Sequence, residues 1–131
     1  MKLSLDLHGV VDDMPGTMKK LTSSIINSGG EVHILTGSTT ERAKQELSEL
    51  GFEYRVHYTH VMGLPNFLTN SFCRIVDIDP VYGNNMFSEE DWNKGKAVYC
   101  EQHEIDLHLD DTVEYGDSFT TPFARLWTKN K

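Results

Sequence analysis

Cysteine is scarce in this sequence: Cys73 and Cys100 are the only two in 131 residues, and they lie far apart. That argues against a disulfide framework or a cysteine metal clip, and two reduced, partly buried thiols are expected. Long apolar runs are missing too. No stretch approaches the roughly 20 apolar residues that span a bilayer. The run from Leu3 to Leu7 is short and is broken by Asp6 and His8, unlike a signal peptide. A soluble, cytoplasmic protein with no membrane partner is the expectation. Basic residues are few: twelve Lys and Arg stand against twenty Asp and Glu, for a net charge of −8. Extended nucleic acid is therefore disfavoured, because its binding rests mainly on phosphate neutralisation. A small local phosphate site is not excluded, and an acidic surface suits a metal ion. With no repeat and no low-complexity segment, the length predicts one domain spanning 1–131, which buries roughly two-thirds of its unfolded surface.

What is present is an alternation of strands and helices. Lys2 to Leu7 reads as a first strand, and Asp12 to Gly16 as a loop. Met18, Leu21 and Ile25 recur at helical spacing until Gly29-Gly30. Glu31 to Leu35 is a second strand. Ser38-Thr39-Thr40-Glu41 has the pattern of a capping box, opening a helix with Ala43, Leu47 and Leu50 on one face. Phe52 to Tyr58 is predicted as a third strand. Residues 61 to 87, with Gly63, Pro65, Pro80, Gly83 and Asn84-Asn85, read as an irregular flap or hairpin insertion, with Phe72 to Ile78 as one more short strand. Ser88-Glu89-Glu90-Asp91 opens a helix to about His103. Ile105 to Leu109 and Pro122 to Trp127 complete the strands. This order predicts an α/β fold with a parallel sheet covered by helices on both faces.

In such sheets ligands bind at the carboxyl ends of the strands. Polar residues gather there: Asp6-Leu7-His8-Gly9-Val10-Val11-Asp12 after strand one, Thr36-Gly37-Ser38 after strand two, Lys94 and Lys96 on the helix before strand four, and Asp110-Asp111 after it. Two carboxylates 4 Å apart repel by about 4 kcal/mol at an effective dielectric of 20. A hard divalent cation offsets that, and Mg²⁺ favours a few carboxylates, water and a phosphate oxygen. A threonine hydroxyl, backbone N–H groups and a lysine then suit a phosphoryl group, whose transfer needs alignment and charge stabilisation above all. Singly, each cluster reads as a turn, a cap or a solvated face; the order of all four makes the catalytic reading. Asp12 and Asp13 are expected to shape a loop, as are Asp77 and Asp79. His57, His60 and Cys73 match no closed zinc spacing, and Trp92 and Trp127 are expected to pack.

These motifs resemble the haloacid-dehalogenase-like (HAD) superfamily over nearly the whole chain. Asp6, Gly9, Val10 and Asp12 match its first motif, Thr36 its second, a lysine its third and Asp110-Asp111 its fourth. The resemblance implies a Rossmann-like fold with a five-stranded parallel sheet in the order 5-4-1-2-3. It implies a Mg²⁺-dependent phosphatase in which Asp6 attacks phosphorus and forms an aspartyl-phosphate. The metal would be held by Asp6, the backbone carbonyl of His8, Asp110 and Asp111, and the phosphate by Thr36, Gly37 and Lys96, or else Lys94. One departure stands out: His8 occupies the place of the family's second acid. A histidine, with an ordinary pKa near 6.5, can serve as general acid and base. With little chain for a cap, a small phosphorylated substrate is expected, with a nucleotide or a nucleic-acid end as an alternative. A degenerate domain that binds phosphate or a protein partner is the reading of another class, and a phosphorelay receiver ranks below both.

Overall fold

Leu3, Ser4, Leu5 and Asp6 are all buried, so the first strand has no solvent face. That is the condition of a central strand in a parallel sheet with helices on both sides. The computed structural model describes residues 1–126. In it β1 (Lys2–Asp6) lies between β2 (Glu31–Thr36) and β6 (Leu107–Asp110), with β3 (His60–Gly63) and β7 (Phe123–Arg125) at the edges. The five-stranded sheet has the order β3-β2-β1-β6-β7, and every pairing in it is parallel. A separate antiparallel hairpin joins β4 (Asp77–Ile78) to β5 (Asn85–Met86). The helices are α1 (Pro15–Asn27), α2 (Thr40–Glu49), α3 (Leu64–Asn70), α4 (Glu89–Gln102) and the short α5 (Val113–Gly116). The fold is α/β and Rossmann-like. No helix among the described residues is long and apolar enough to cross a membrane.

The alternation of side chains along each strand divides the core in two. Leu3, Leu5, Val32 and Ile34 pack with Met18 and Ile25 of α1 and with Ala43 and Leu47 of α2. Leu35 and Met62 pack instead with Leu64 and Leu68 of α3 and with Tyr99 and Cys100 of α4. The capping motifs fix the starts of two helices. Ser88 accepts a hydrogen bond from the Asp91 N–H at 3.1 Å, as its pattern predicts. In α2 the cap is Thr39, one residue later than the predicted box places it, accepting from the Arg42 N–H at 3.3 Å.

The third strand is where the sequence misleads. Phe52 and Tyr58 are buried, but Tyr54 and Val56 between them are exposed, and Arg55 has a φ of 69°. A turn forms there instead, closed by Val56 and His57 N–H bonds to the Glu53 carbonyl and by the Glu53 N–H on His57 Nδ1. The paired strand is His60–Gly63, which the sequence reading assigns mostly to the irregular segment. Gly63 and Pro65 read as breakers, yet Pro65 sits in the first turn of α3, where its missing N–H costs nothing. The segment does carry a hairpin, though its strand at Asp77–Ile78 is shorter than the predicted Phe72 to Ile78. The fourth core strand starts at Leu107 and includes Asp110, and the last spans Phe123–Arg125; Trp127 lies outside the described residues.

Gly63 locks β3 onto the start of α2. A Cβ there would stand 2.2 Å from the Thr40 nitrogen and 2.6 Å from the Thr39 carbonyl carbon, both backbone atoms. Gly63→Ala should therefore lower stability by about 1–3 kcal/mol through overpacking, read as a lower urea midpoint. An unchanged midpoint would show that the strand and helix are not in this contact.

Candidate functional site

Asp6 ends β1 and Asp110 ends β6, on strands paired through Leu5 and Leu109. Both are buried, at 6% and 0% exposure, so their charges need partners within the protein. Lys96, 3% exposed, supplies one from α4. Its Nζ donates to Asp6 Oδ1 at 3.0 Å and to Asp110 Oδ2 at 2.9 Å, and lies 4.8 Å from the centre of the Tyr115 ring. Of the two candidate lysines, Lys96 is thus the one in the cluster. Lys94 is exposed and pairs with Glu90 at 2.7 Å along its own helix. Two residues along a helix turn a side chain to a different face, which separates their roles.

Behind Asp110 runs a chain of buried polar groups that the sequence reading missed. His108 Nε2 meets Asp110 Oδ2 at 2.9 Å, and His108 Nδ1 meets Ser4 Oγ at 2.6 Å. The Cys100 thiol lies 3.4 Å from the same hydroxyl. Burial pushes His108 down, away from its charged form. The neutral ring then donates from Nε2 to the carboxylate and accepts from Ser4, while Cys100 donates to Ser4. Burial also pushes the Cys100 thiol up to about 11, which keeps its proton in place. The hydrogen bond from Thr112 N–H to Asp110 Oδ1, at 3.0 Å, completes the fixing of this carboxylate.

The two acids sit in opposite electrostatic states. Burial pushes Asp6 up to about 8; Lys96 pulls against this, while Asp110 and Asp111 add to it. Burial works the same way on Asp110, but the His108 hydrogen bond and Lys96 outweigh it and hold that carboxyl well below its ordinary range. Lys96 is desolvated yet raised, because the charges of Asp6 and Asp110 outweigh burial.

Asp111 is drawn against the turn Leu7–Val11 that follows β1. Gly9 there has a φ of 95°, and a Cβ on it would lie 2.2 Å from Asp111 Oδ2, so conformation and space both require glycine. Asp12 shapes the same turn by accepting the Gly9 N–H at 2.7 Å. Carboxylate oxygens of Asp6, Asp110 and Asp111 all lie within 4.8 Å of one another. Asp6 and Asp110 thus gather about Lys96, with Asp111 beside them. A hard, oxygen-seeking divalent cation fits this donor set by charge and by ligand type.

Thr36 ends β2, one residue beyond Leu35, the register partner of Asp6. It is buried, and its Oγ1 lies 3.2 Å from both the hydroxyl and the N–H of Ser38. Gly37 lies under Trp92, whose ring would be 3.1 Å from a Cβ at that position. A cavity of about 380 Å³ opens beside Gly37, walled by Pro65, Met86, Phe87 and Trp92. His8 is the outlier among the expected groups. Its ring is half-exposed, and its Nε2 meets Glu46 Oε2 of α2 at 2.5 Å. Glu46 was not foreseen, since nothing local in sequence links α2 to the first turn.

The state of Asp6 gives a pH prediction. An acid whose folded pKa is raised stabilises the fold fully below its unfolded value of 3.8 and loses that contribution as pH rises through about 8. In chelator, Asp6→Asn should therefore be more stable than the wild type at pH 8 by a few kcal/mol, and the gap should close toward pH 4. Thermal melts across that range measure it, and a variant less stable than wild type at pH 8 would contradict the burial account. No protein-family model and no curated protein matches this chain.

Proposed function

We propose that the chain is a Mg²⁺-dependent phosphatase of the haloacid-dehalogenase-like kind, hydrolysing a phosphomonoester through an aspartyl-phosphate on Asp6. The observation that carries this reading is the buried meeting of Asp6, Lys96 and Asp110, from β1, α4 and β6, with Asp111 beside them. The all-parallel five-stranded sheet, in the order β3-β2-β1-β6-β7, supports the reading too.

The metal would be held by the carboxylates of Asp6, Asp110 and Asp111 and by the backbone carbonyl of His8. Bound there, it supplies the positive charge that lets Asp6 stay ionised beside an incoming phosphate. Lys96 holds Asp6 Oδ1 in place and screens it from the phosphoryl oxygens. The Thr36 hydroxyl and the Gly37 N–H receive those oxygens. Asp6 attacks phosphorus as the ester oxygen leaves, and His8 gives that oxygen its proton. The same ring then takes a proton from water, which attacks phosphorus and releases inorganic phosphate and free Asp6. Glu46 orients the imidazole, the service a carboxylate performs for a catalytic histidine elsewhere. The cavity beside Gly37 offers apolar walls to the organic part of the substrate, which favours an aromatic or nucleotide-sized ester.

The His8–Glu46 contact also favours a second reading, a domain that holds phosphate or a partner without turnover, because it occupies the ring nitrogen Nε2. Phosphate release from sugar phosphates, nucleotides and an aryl phosphate separates the two. The expected outcome is activity that needs Mg²⁺, stops with chelator and vanishes in Asp6→Asn. Equal activity in that variant would refute the nucleophile. His8→Ala should lower kcat by about 10²-fold, while His8→Asp should keep or raise turnover and shift the acidic limb of the pH profile.

A further inference from the structure

The opposite end of the sheet, at the amino ends of β2 and β3, carries a second constellation that the reaction above does not use. Glu31 and His33 alternate on β2 and so share a face, and His60 on β3 is the register partner of His33. The His33 and His60 rings stack with centroids 4.0 Å apart and planes 3° from parallel. Glu31 Oε1 lies 2.9 Å from His33 Nε2 and 4.0 Å from His60 Nδ1. The His103 ring, at the end of α4, stands 5.5 Å from that of His33. Lys2 reaches Glu31 Oε2 at 3.9 Å.

We propose that Glu31, His33 and His60 form a second metal site, for a divalent transition ion of the zinc class, which clamps the edge strand β3 to β2. One ligand atom from each residue lies within 4.8 Å of the others. A tetrahedral ion about 2.0–2.1 Å from its ligands needs them about 3.3–3.4 Å apart. The observed 2.9 and 4.0 Å bracket that separation; the rings are stacked and each lone pair lies in its own ring plane, so the exposed His60 ring rotates out of the stack to face the ion. A fourth position is left for water.

The chemistry of the donors selects the ion. Imidazole suits zinc-class metals, whereas Mg²⁺ keeps to oxygen, so the two ends of the sheet take different cations. A partner behind His33 is already built. The Tyr99 hydroxyl lies 2.7 Å from its Nδ1. Now Nε2–H of His33 donates to Glu31 and the tyrosine donates to Nδ1. With a metal on Nε2 the ring proton moves to Nδ1 and the tyrosine accepts it, since a hydroxyl serves in either sense. Thr59 Oγ1 lies 2.9 Å from the same His60 Nδ1 and gives it up when the ring turns to the ion. His57 and Cys73, which with His60 match no closed zinc spacing, are not among these ligands. His57 closes its own turn.

The test is a Zn²⁺ titration of the wild-type protein in excess Mg²⁺, followed by calorimetry, thermal melting and ¹⁵N NMR of the imidazoles. The expected result is one strongly bound zinc, a raised Tm, and shifted ring nitrogens of His33 and His60. His60→Ala, at an exposed ring, and Glu31→Gln, at a half-buried edge residue, should each weaken binding at least about tenfold, with unchanged melts in chelator. An isotherm in His60→Ala equal to wild type would overturn the proposal. So would zinc binding that leaves the resonances of His33 and His60 in place. Because no arm reads phosphate release, the result is independent of the reaction proposed above.

Discussion

One ammonium group between two buried carboxylates organises this molecule. Lys96 at 3% exposure lies beside Asp6 and Asp110, themselves buried at 6% and 0% exposure. Burying the lysine alone would be strongly unfavourable, as would burying either acid alone. The arrangement therefore demands that β1, β6 and α4 keep their mutual register. Gly95, beside Lys96, serves that end: a Cβ on it would stand 2.4 Å from Leu64 Cδ1, so α4 seats closely on α3. The line from Asp110 through His108 and Ser4 to Cys100 fastens the same strands from behind. Buried ion clusters commonly cost stability that the rest of the fold supplies.

Much of the scaffold is legible in the sequence because local pattern and tertiary role coincide. Leu3 and Leu5, Val32 and Ile34, and the helix beginning at Ser88 all carry their structural roles in their spacing. The third strand fails for a definite reason. Phe52, Tyr54, Val56 and Tyr58 alternate as strand residues do, but only the outer two are buried, and the φ of 69° at Arg55 turns the chain. The true edge strand, His60–Gly63, is four residues long and runs directly into a helix beginning at Leu64, so no local pattern marks it.

The site shows the same division. Asp6, Thr36 and Asp110-Asp111 were recoverable because each closes an apolar strand. The choice between Lys94 and Lys96 needed the rotation of α4, which only packing settles. Ser4 and His108 carry no motif; their one trace is a polar residue two positions before an acid in each of β1 and β6. The stacking of His33 on His60 depends on the pairing of β2 with β3, a relation between distant segments. The fold thus presents two chemically distinct ends: carboxylates and a lysine at the carboxyl ends of the strands, and imidazoles with one carboxylate at the amino ends.

The central claim is that Asp6, Asp110 and Asp111 share one divalent cation beside Lys96. Anomalous diffraction from a crystal soaked in Mn²⁺, a stand-in for Mg²⁺, measures this directly. The account predicts a single strong peak within bonding distance of all three carboxylates. A fully occupied soak with no peak there, and the three acids directed away from a common point, would contradict it.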